Sequence, residues 1–248
     1  MMHQTCLTTS RLLSSEVNQL PERTTMPIFL KKIFFSVLVL LLITPCFAGE
    51  PQNLYFFKQK LTQYHDSGQY EYDIDHVAYN AENYLKKRIQ ENRVAPHPQK
   101  LAIVFDLDET LLSNYADLSS HYFSESIDDI LKGIAEGRDT IIPGTFQLYQ
   151  YAESQGVAVF FITGRPERLQ TPTESNLKKD GITQWTHLYF KPNDYSDPSI
   201  IPFKSSTRAK IEQQGYDIAI SIGDQYSDLL GGYADHIYKL PNPFYFLP

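Results

Sequence analysis

The sequence predicts a doubly wound α/β fold with a mainly parallel sheet, a small helical cap and an N-terminal helical extension. Three observations predict it. Short, largely apolar runs recur at Leu101–Phe105, Val157–Ile162 and Ile218–Ile222, with a fourth at His187–Phe190. Such runs fit strands buried on both faces. Helical stretches lie between them, at Phe146–Ser154, Glu167–Lys179 and Ser205–Gln214, and strands alternating with helices indicate parallel winding. Polar residues follow three of the runs directly, and in such folds ligands sit at the carboxyl ends of the strands.

Taken in chain order, residues 1–25 are polar and carry no export signal. The expectation is that they are a non-translated leader and that Met26 is the true start. Residues 26–48 then read as a signal peptide. Lys31 and Lys32 form a positive region, Ile33–Ile43 an apolar stretch, and Cys46-Phe47-Ala48 a small-residue cleavage point before Gly49. The apolar stretch is shorter than the roughly 20 residues of a membrane span, so cleavage after Ala48 is expected in preference to a retained anchor. Pro45 fits a lipoprotein signal at Cys46 poorly. The protein is therefore expected to be secreted or periplasmic, with no stable membrane span after signal removal.

Residues 51–98 form the helical extension. Ile74, Val77, Ala78, Ala81, Leu85 and Ile89 make one apolar stripe at spacings of three and four, which gives the segment a packing role, and Pro96 and Pro98 end it. The core spans 99–248, with a small cap at about 113–142. In the cap Ile127, Ile130, Leu131 and Ile134 mark one amphipathic helix. Tyr115, Tyr122 and Phe123 either pack this cap onto the core or stack on a leaving group, and packing is favoured.

Composition narrows the function. A 248-residue chain with 42% hydrophobic residues suffices for one substantial core. A net charge of −7 and no basic run argue against a nucleic-acid polymer as partner. Both cysteines, Cys6 and Cys46, precede the cleavage point. The mature chain would then have no disulfide, zinc-thiolate site or thiol nucleophile. The seven histidines follow no metal-ligand spacing.

The chemistry lies at the three strand ends. Asp106-Leu107-Asp108-Glu109-Thr110 follows the first run, Thr163-Gly164-Arg165 the second, and Gly223-Asp224 with Asp228 the third. Clustered carboxylates at 106, 108 and 224 repel unless a cation joins them, and oxygen-only donors favour magnesium. A carboxylate can attack phosphorus. A second carboxyl can protonate the leaving oxygen and later activate water. Thr163, the backbone at Gly164 and a lysine can hold phosphoryl oxygens.

Together these motifs resemble the haloacid dehalogenase-like (HAD) superfamily, whose core is Rossmann-like. LAIVFDLDETLL is similar to its first motif, FFITGR to its second and SIGDQYSD to its last, covering residues 99–248. DLDETLLSNY, IPGTFQLYQYAESQGVAVFFITGRPE and GYDIAISIGDQYSDLLGG resemble the acid phosphatases of subfamily IIIB and the related class C enzymes. The resemblance implies an exported, Mg2+-dependent hydrolase of phosphate monoesters, with nucleoside monophosphates as a first candidate. It implies Asp106 as nucleophile and metal ligand. Asp108 would be general acid/base and give its backbone carbonyl to the metal. Thr163, Gly164 and Lys204 would hold the phosphoryl group. Asp224 would be a metal ligand, and Asp228 a ligand or its support. For the lysine, IPFKSSTRAKIEQQGYDIAI favours Lys204 over Lys191. Within the superfamily, Asp108 argues against a dehalogenase and against a transport ATPase. A phosphotransferase on the same site stays open. Plant storage proteins also resemble this family, and the presence of all five motif residues weighs against a non-catalytic role.

Overall fold

The structure is a computed structural model that describes residues 27–30, 32–33 and 49–248. The leader, the Ala48 cleavage point and both cysteines lie outside the described residues, as does most of the signal segment. The chain divides into two units, residues 1–51 and 52–248. In the first, the described residues 28–30 and 32–33 are helical. Among the described residues no helix is long and apolar enough to cross a membrane.

The second unit begins with two helices, α1 (Leu54–Asp66) and α2 (Gln69–Val94). They part at Ser67-Gly68, where Gly68 takes φ +80, a left-handed turn that favours glycine. In α2 the buried residues include Ile74, Ala78, Ala81, Leu85 and Ile89. This is the stripe legible in the sequence, and it lies against the sheet and the helix at Pro143–Ser154.

The sheet has five parallel strands: β1 (Lys100–Phe105), β4 (Ala158–Pro166), β5 (His187–Lys191), β6 (Tyr216–Gly223) and β7 (His236–Lys239). Their order is β5-β4-β1-β6-β7. The winding runs outward through β4 and β5, then restarts on the far side of β1. This reversal leaves a crevice at the carboxyl end of β1. Alternate residues of β1 serve two cores. Ile103 and Phe105 face α2 and α5 (Pro143–Ser154), with Leu148, Tyr149 and Phe161. Ala102 and Val104 face the other side with Phe160, Ile162, Ile218 and Ile211, the last from α7 (Ile201–Gln213). Burial on both faces is why these strands read as largely apolar runs. The helix α6 (Gln170–Lys179) completes the winding.

Between β1 and β4 a two-stranded ribbon, β2 (Leu112–Ser113) with β3 (Thr140–Ile141), carries the cap. The cap holds two helices, α3 (Tyr115–Ser120) and α4 (Ile127–Glu136), where the apolar pattern marks only the second. Ser126 and Asp129 form a capping box at the start of α4, and Gly137 closes it with φ +64. Tyr115 and Phe123 pack against Phe244, whereas Tyr122 is 72% exposed. A last short helix, α8 (Tyr226–Leu229), follows β6.

Candidate active site

Asp106 is the first residue beyond β1, and its N–H donates to the carbonyl of Ile222 in β6 at 3.0 Å. That bond sets it beside the end of β6, where Asp224 and Asp228 lie. Oxygens of these three buried carboxylates come within 4.8 Å of one another. Lys204, in the first turn of α7, reaches across with its Nζ 2.5 Å from Oδ1 of Asp106 and 2.5 Å from Oδ1 of Asp228. Lys191 ends β5, which β4 separates from β1, so the lysine that meets the cluster is Lys204.

The charges do not balance. Three carboxylates face one ammonium. Burial holds the Asp106 carboxyl well above the usual carboxylate range, Lys204 offsets this only in part, and Asp228 and Asp224 add to it. Burial, then Asp228, pushes Asp224 up to about 7. Lys204 is buried too, but Asp106 and Asp228 outweigh that and hold its pKa above the ordinary lysine value. An all-oxygen set with an excess of negative charge suits a hard divalent cation. The side chains of Asp106, Asp224 and Asp228 therefore fit one.

Each carboxylate is fixed by neighbours. Asp224 accepts from Asn242 Nδ2 at 2.7 Å, Gln225 Nε2 at 2.8 Å and Thr110 Oγ1 at 3.3 Å. Oδ2 of Asp228 accepts the Gln225 N–H at 2.8 Å and caps α8. Arg208, fully buried, donates to the carbonyls of Asp228, Leu230 and Gly232, which holds the turn beyond α8.

Asp108 points elsewhere. Its side chain, 21% exposed, lies in the fork of Arg165, with Nη2 2.8 Å from Oδ1 and Nε 3.0 Å from Oδ2. Asn114 Nδ2 donates to Oδ1 at 2.8 Å. Burial acts to raise its pKa, but Arg165 and Asn114 overcome that and hold it below the usual range. Arg165 is itself anchored by Asp139 at 2.7 Å and Thr173 at 3.2 Å. Thr163 is buried near the end of β4, and its Oγ1 accepts the N–H of Arg165 at 3.1 Å. Gly164 has open space where a Cβ would stand.

The structure thus brings Asp106, Lys204, Asp224 and Asp228 into contact and sets Asp108 beside them in its own arginine fork. Several partners are absent from the sequence reading. Arg165 sits inside the TGR motif and Thr110 inside DLDET, so both had a local signal. Asp139 and Asn242 had none.

Residues 49–248 match the model of the HAD superfamily, subfamily IIIB (acid phosphatase). The chain belongs to that subfamily. Relatives of this subfamily IIIB chain include the stem 28 kDa glycoprotein of Glycine max, 39% identical over 61% of this chain and 61% of that protein. Vegetative storage protein 1 of Arabidopsis thaliana is 33% identical over 73% and 67%. Acid phosphatase 1 of Solanum lycopersicum is 36% identical over 58% and 58%. The match thus spans about three-fifths of the soybean and tomato proteins. The class C acid phosphatase of Bacillus anthracis shares the fold, with a TM-score of 0.59, 22% identity and coverage of 76% of this chain and 86% of that one.

Proposed function

We propose that this subfamily IIIB chain is an exported, Mg2+-dependent acid phosphatase that hydrolyses phosphate monoesters through an aspartyl-phosphate. The observation that carries this is the buried cluster of Asp106, Asp224 and Asp228 closed by Lys204 at the crevice between β1 and β6.

An Asp106 carboxylate oxygen attacks phosphorus as the ester P–O bond breaks, and Asp108 gives a proton to the leaving oxygen. Water then attacks the phosphorus, the bond to Asp106 breaks, and Asp108 takes the water's proton. Lys204, the Thr163 hydroxyl and the Gly164 N–H hold the transferred phosphoryl oxygens. Magnesium would be held by Asp106, Asp224 and Asp228 with the Asp108 carbonyl, and when bound it neutralises the carboxylates and the phosphoryl charge. Export follows from the signal pattern at 26–48. A nucleoside monophosphate is the first substrate to try.

The storage proteins among the relatives support a second reading, a non-catalytic protein on this fold. Hydrolysis of p-nitrophenyl phosphate by the mature chain separates the two. Turnover with magnesium, lost with EDTA and in Asp106→Asn, supports the enzyme. No metal-dependent turnover between about pH 4 and 8, where the carboxyl groups titrate, leaves the storage reading.

A further inference from the structure

The α1–α2 hairpin carries none of the residues given roles above, and its apolar stripe accounts for its packing. Its junction nevertheless grips the site's own segments. Tyr70, buried in the first turn of α2, donates its hydroxyl to Oε2 of Glu109 at 2.5 Å, across 39 residues of sequence. Asp66 accepts the Tyr115 hydroxyl at 3.0 Å, and the His65 ring stacks on Tyr115 with centroids 3.3 Å apart.

Glu109 follows Asp108 and takes φ +50, a left-handed conformation that is strained for a residue with a Cβ. Such strain persists only where the surroundings impose it. Here the Glu109 N–H donates to the Leu112 carbonyl at 2.7 Å. Its side chain, fully buried, accepts from the Asn114 N–H at 2.6 Å and Ser113 Oγ at 3.3 Å, besides Tyr70. Asn114 also donates from its side chain to Asp108 at 2.8 Å. A continuous path of hydrogen bonds therefore runs from Tyr70 through Glu109 and Asn114 to the Asp108 carboxylate. Tyr70 is the one member supplied from outside residues 108–114.

We infer that Tyr70, acting through Glu109 and Asn114, is a positioning residue that sets the Asp108 carboxylate, so that the N-terminal hairpin is part of the active site. It touches neither substrate nor reacting atoms. The inference rests on the phosphatase reading for its kinetic consequence and on the hydrogen-bond path for its structural one, and the two are measured separately.

The test compares the full chain with Tyr70→Phe, Glu109→Gln, Glu109→Ala and the double variant Tyr70→Phe/Glu109→Ala. Phenylalanine keeps the ring packing and removes only the hydroxyl. The expected result for Tyr70→Phe is a fall in kcat for p-nitrophenyl phosphate of about ten- to a hundredfold, as for a displaced reacting group. KM is unchanged, and Tm falls by no more than about 4 °C. Amides 107–114 exchange hydrogen faster. Glu109→Gln, which still accepts from Tyr70, retains more activity than Glu109→Ala, and the double variant is no worse than Glu109→Ala. If the wild type hydrolyses no phosphate monoester, the functional reading fails and hydrogen exchange alone decides the path. Unchanged exchange at 107–114 in Tyr70→Phe overturns the inference whatever the activity. So does a loss of kcat fully explained by a smaller folded fraction, or additive effects in the double variant.

Discussion

The guanidinium of Arg165 holds the Asp108 carboxylate from two nitrogens, Nη2 and Nε, at 2.8 and 3.0 Å. A carboxylate in such a fork stays ionised and in one rotamer. That suits a base that accepts a proton from water. Donating a proton to a leaving oxygen instead requires the fork to loosen, since Asp108 is held below the usual carboxylate range.

Arg165→Lys keeps the charge but loses the planar fork, so it is not conservative here. It also leaves buried Asp139 with one point-like donor in place of its 2.7 Å partner. The expected outcome is a fall in kcat of about 10²-fold, as for loss of a fixed reacting geometry. KM changes less, and the acidic limb of the pH–kcat profile shifts. Steady-state kinetics across pH check this, and a profile identical to wild type would remove Arg165 from the reaction.

Lys204 is the sole ammonium found between Asp106 and Asp228 among the described residues. Lys204→Ala strips both of their shared cation and, in the proposed reaction, removes a donor to the phosphoryl group. The expected loss in kcat is about 10²–10³-fold, while Lys191→Ala is silent. Metal-free Lys204→Ala is also destabilised by about 3–5 kcal/mol at neutral pH, less in acid, where the carboxylates protonate. Urea melts at pH 5 and pH 8 read this out. A silent Lys204→Ala with an inactive Lys191→Ala reverses the assignment.

Gly223 ends β6, and a Cβ there would stand 2.6 Å from the Cβ of Asp228. Alanine therefore pushes Asp228 out of line with Asp106 and Asp224 while leaving every carboxylate present. The expected effect is a rise of about ten- to a hundredfold in the magnesium concentration for half-maximal activity, the size found when support around a metal ligand is disturbed. Activity at saturating magnesium falls less. A magnesium titration of Gly223→Ala tests it, and wild-type metal dependence would show that Asp228 does not need this approach.

What was legible in the sequence was whatever periodicity and chain-local motifs encode. β1, β4, β5 and β6 read as apolar runs because the sheet is covered on both faces. β7 escaped because His236-Ile237-Tyr238-Lys239 lies at an edge, half of it exposed, and so carries no run. α7 begins at Ile201, four residues before the expected start at Ser205, and Pro202 in its first turn was the missed signal. Asp106, Asp224 and Lys204 were legible because each follows or opens an element in a recognisable string. Asp139, Asn242 and Tyr70 were not, because their partners lie far off in sequence and only the tertiary fold pairs them.

Asp106 and Asp224, together with Glu109, which burial pushes up to about 7, make the metal-free protein respond to pH. Burial first, with carboxylate neighbours, raises both aspartates, Asp224 from 3.8 to about 7. A carboxyl whose folded pKa lies above its unfolded value binds more protons folded than unfolded in the interval between them. Stability is then fully present below about 3.8, and it declines as pH rises through about 7, where the folded group must ionise. A divalent cation reverses this by favouring the ionised carboxylates and binding only the folded chain. In EDTA, Tm should therefore fall between pH 5 and pH 8, and added magnesium should raise Tm more at pH 8 than at pH 5. Asp224→Asn removes one raised carboxyl and flattens both responses. Differential scanning calorimetry on wild type and Asp224→Asn decides it: equal magnesium shifts at the two pH values would mean that the cation does not compete with protons at this cluster.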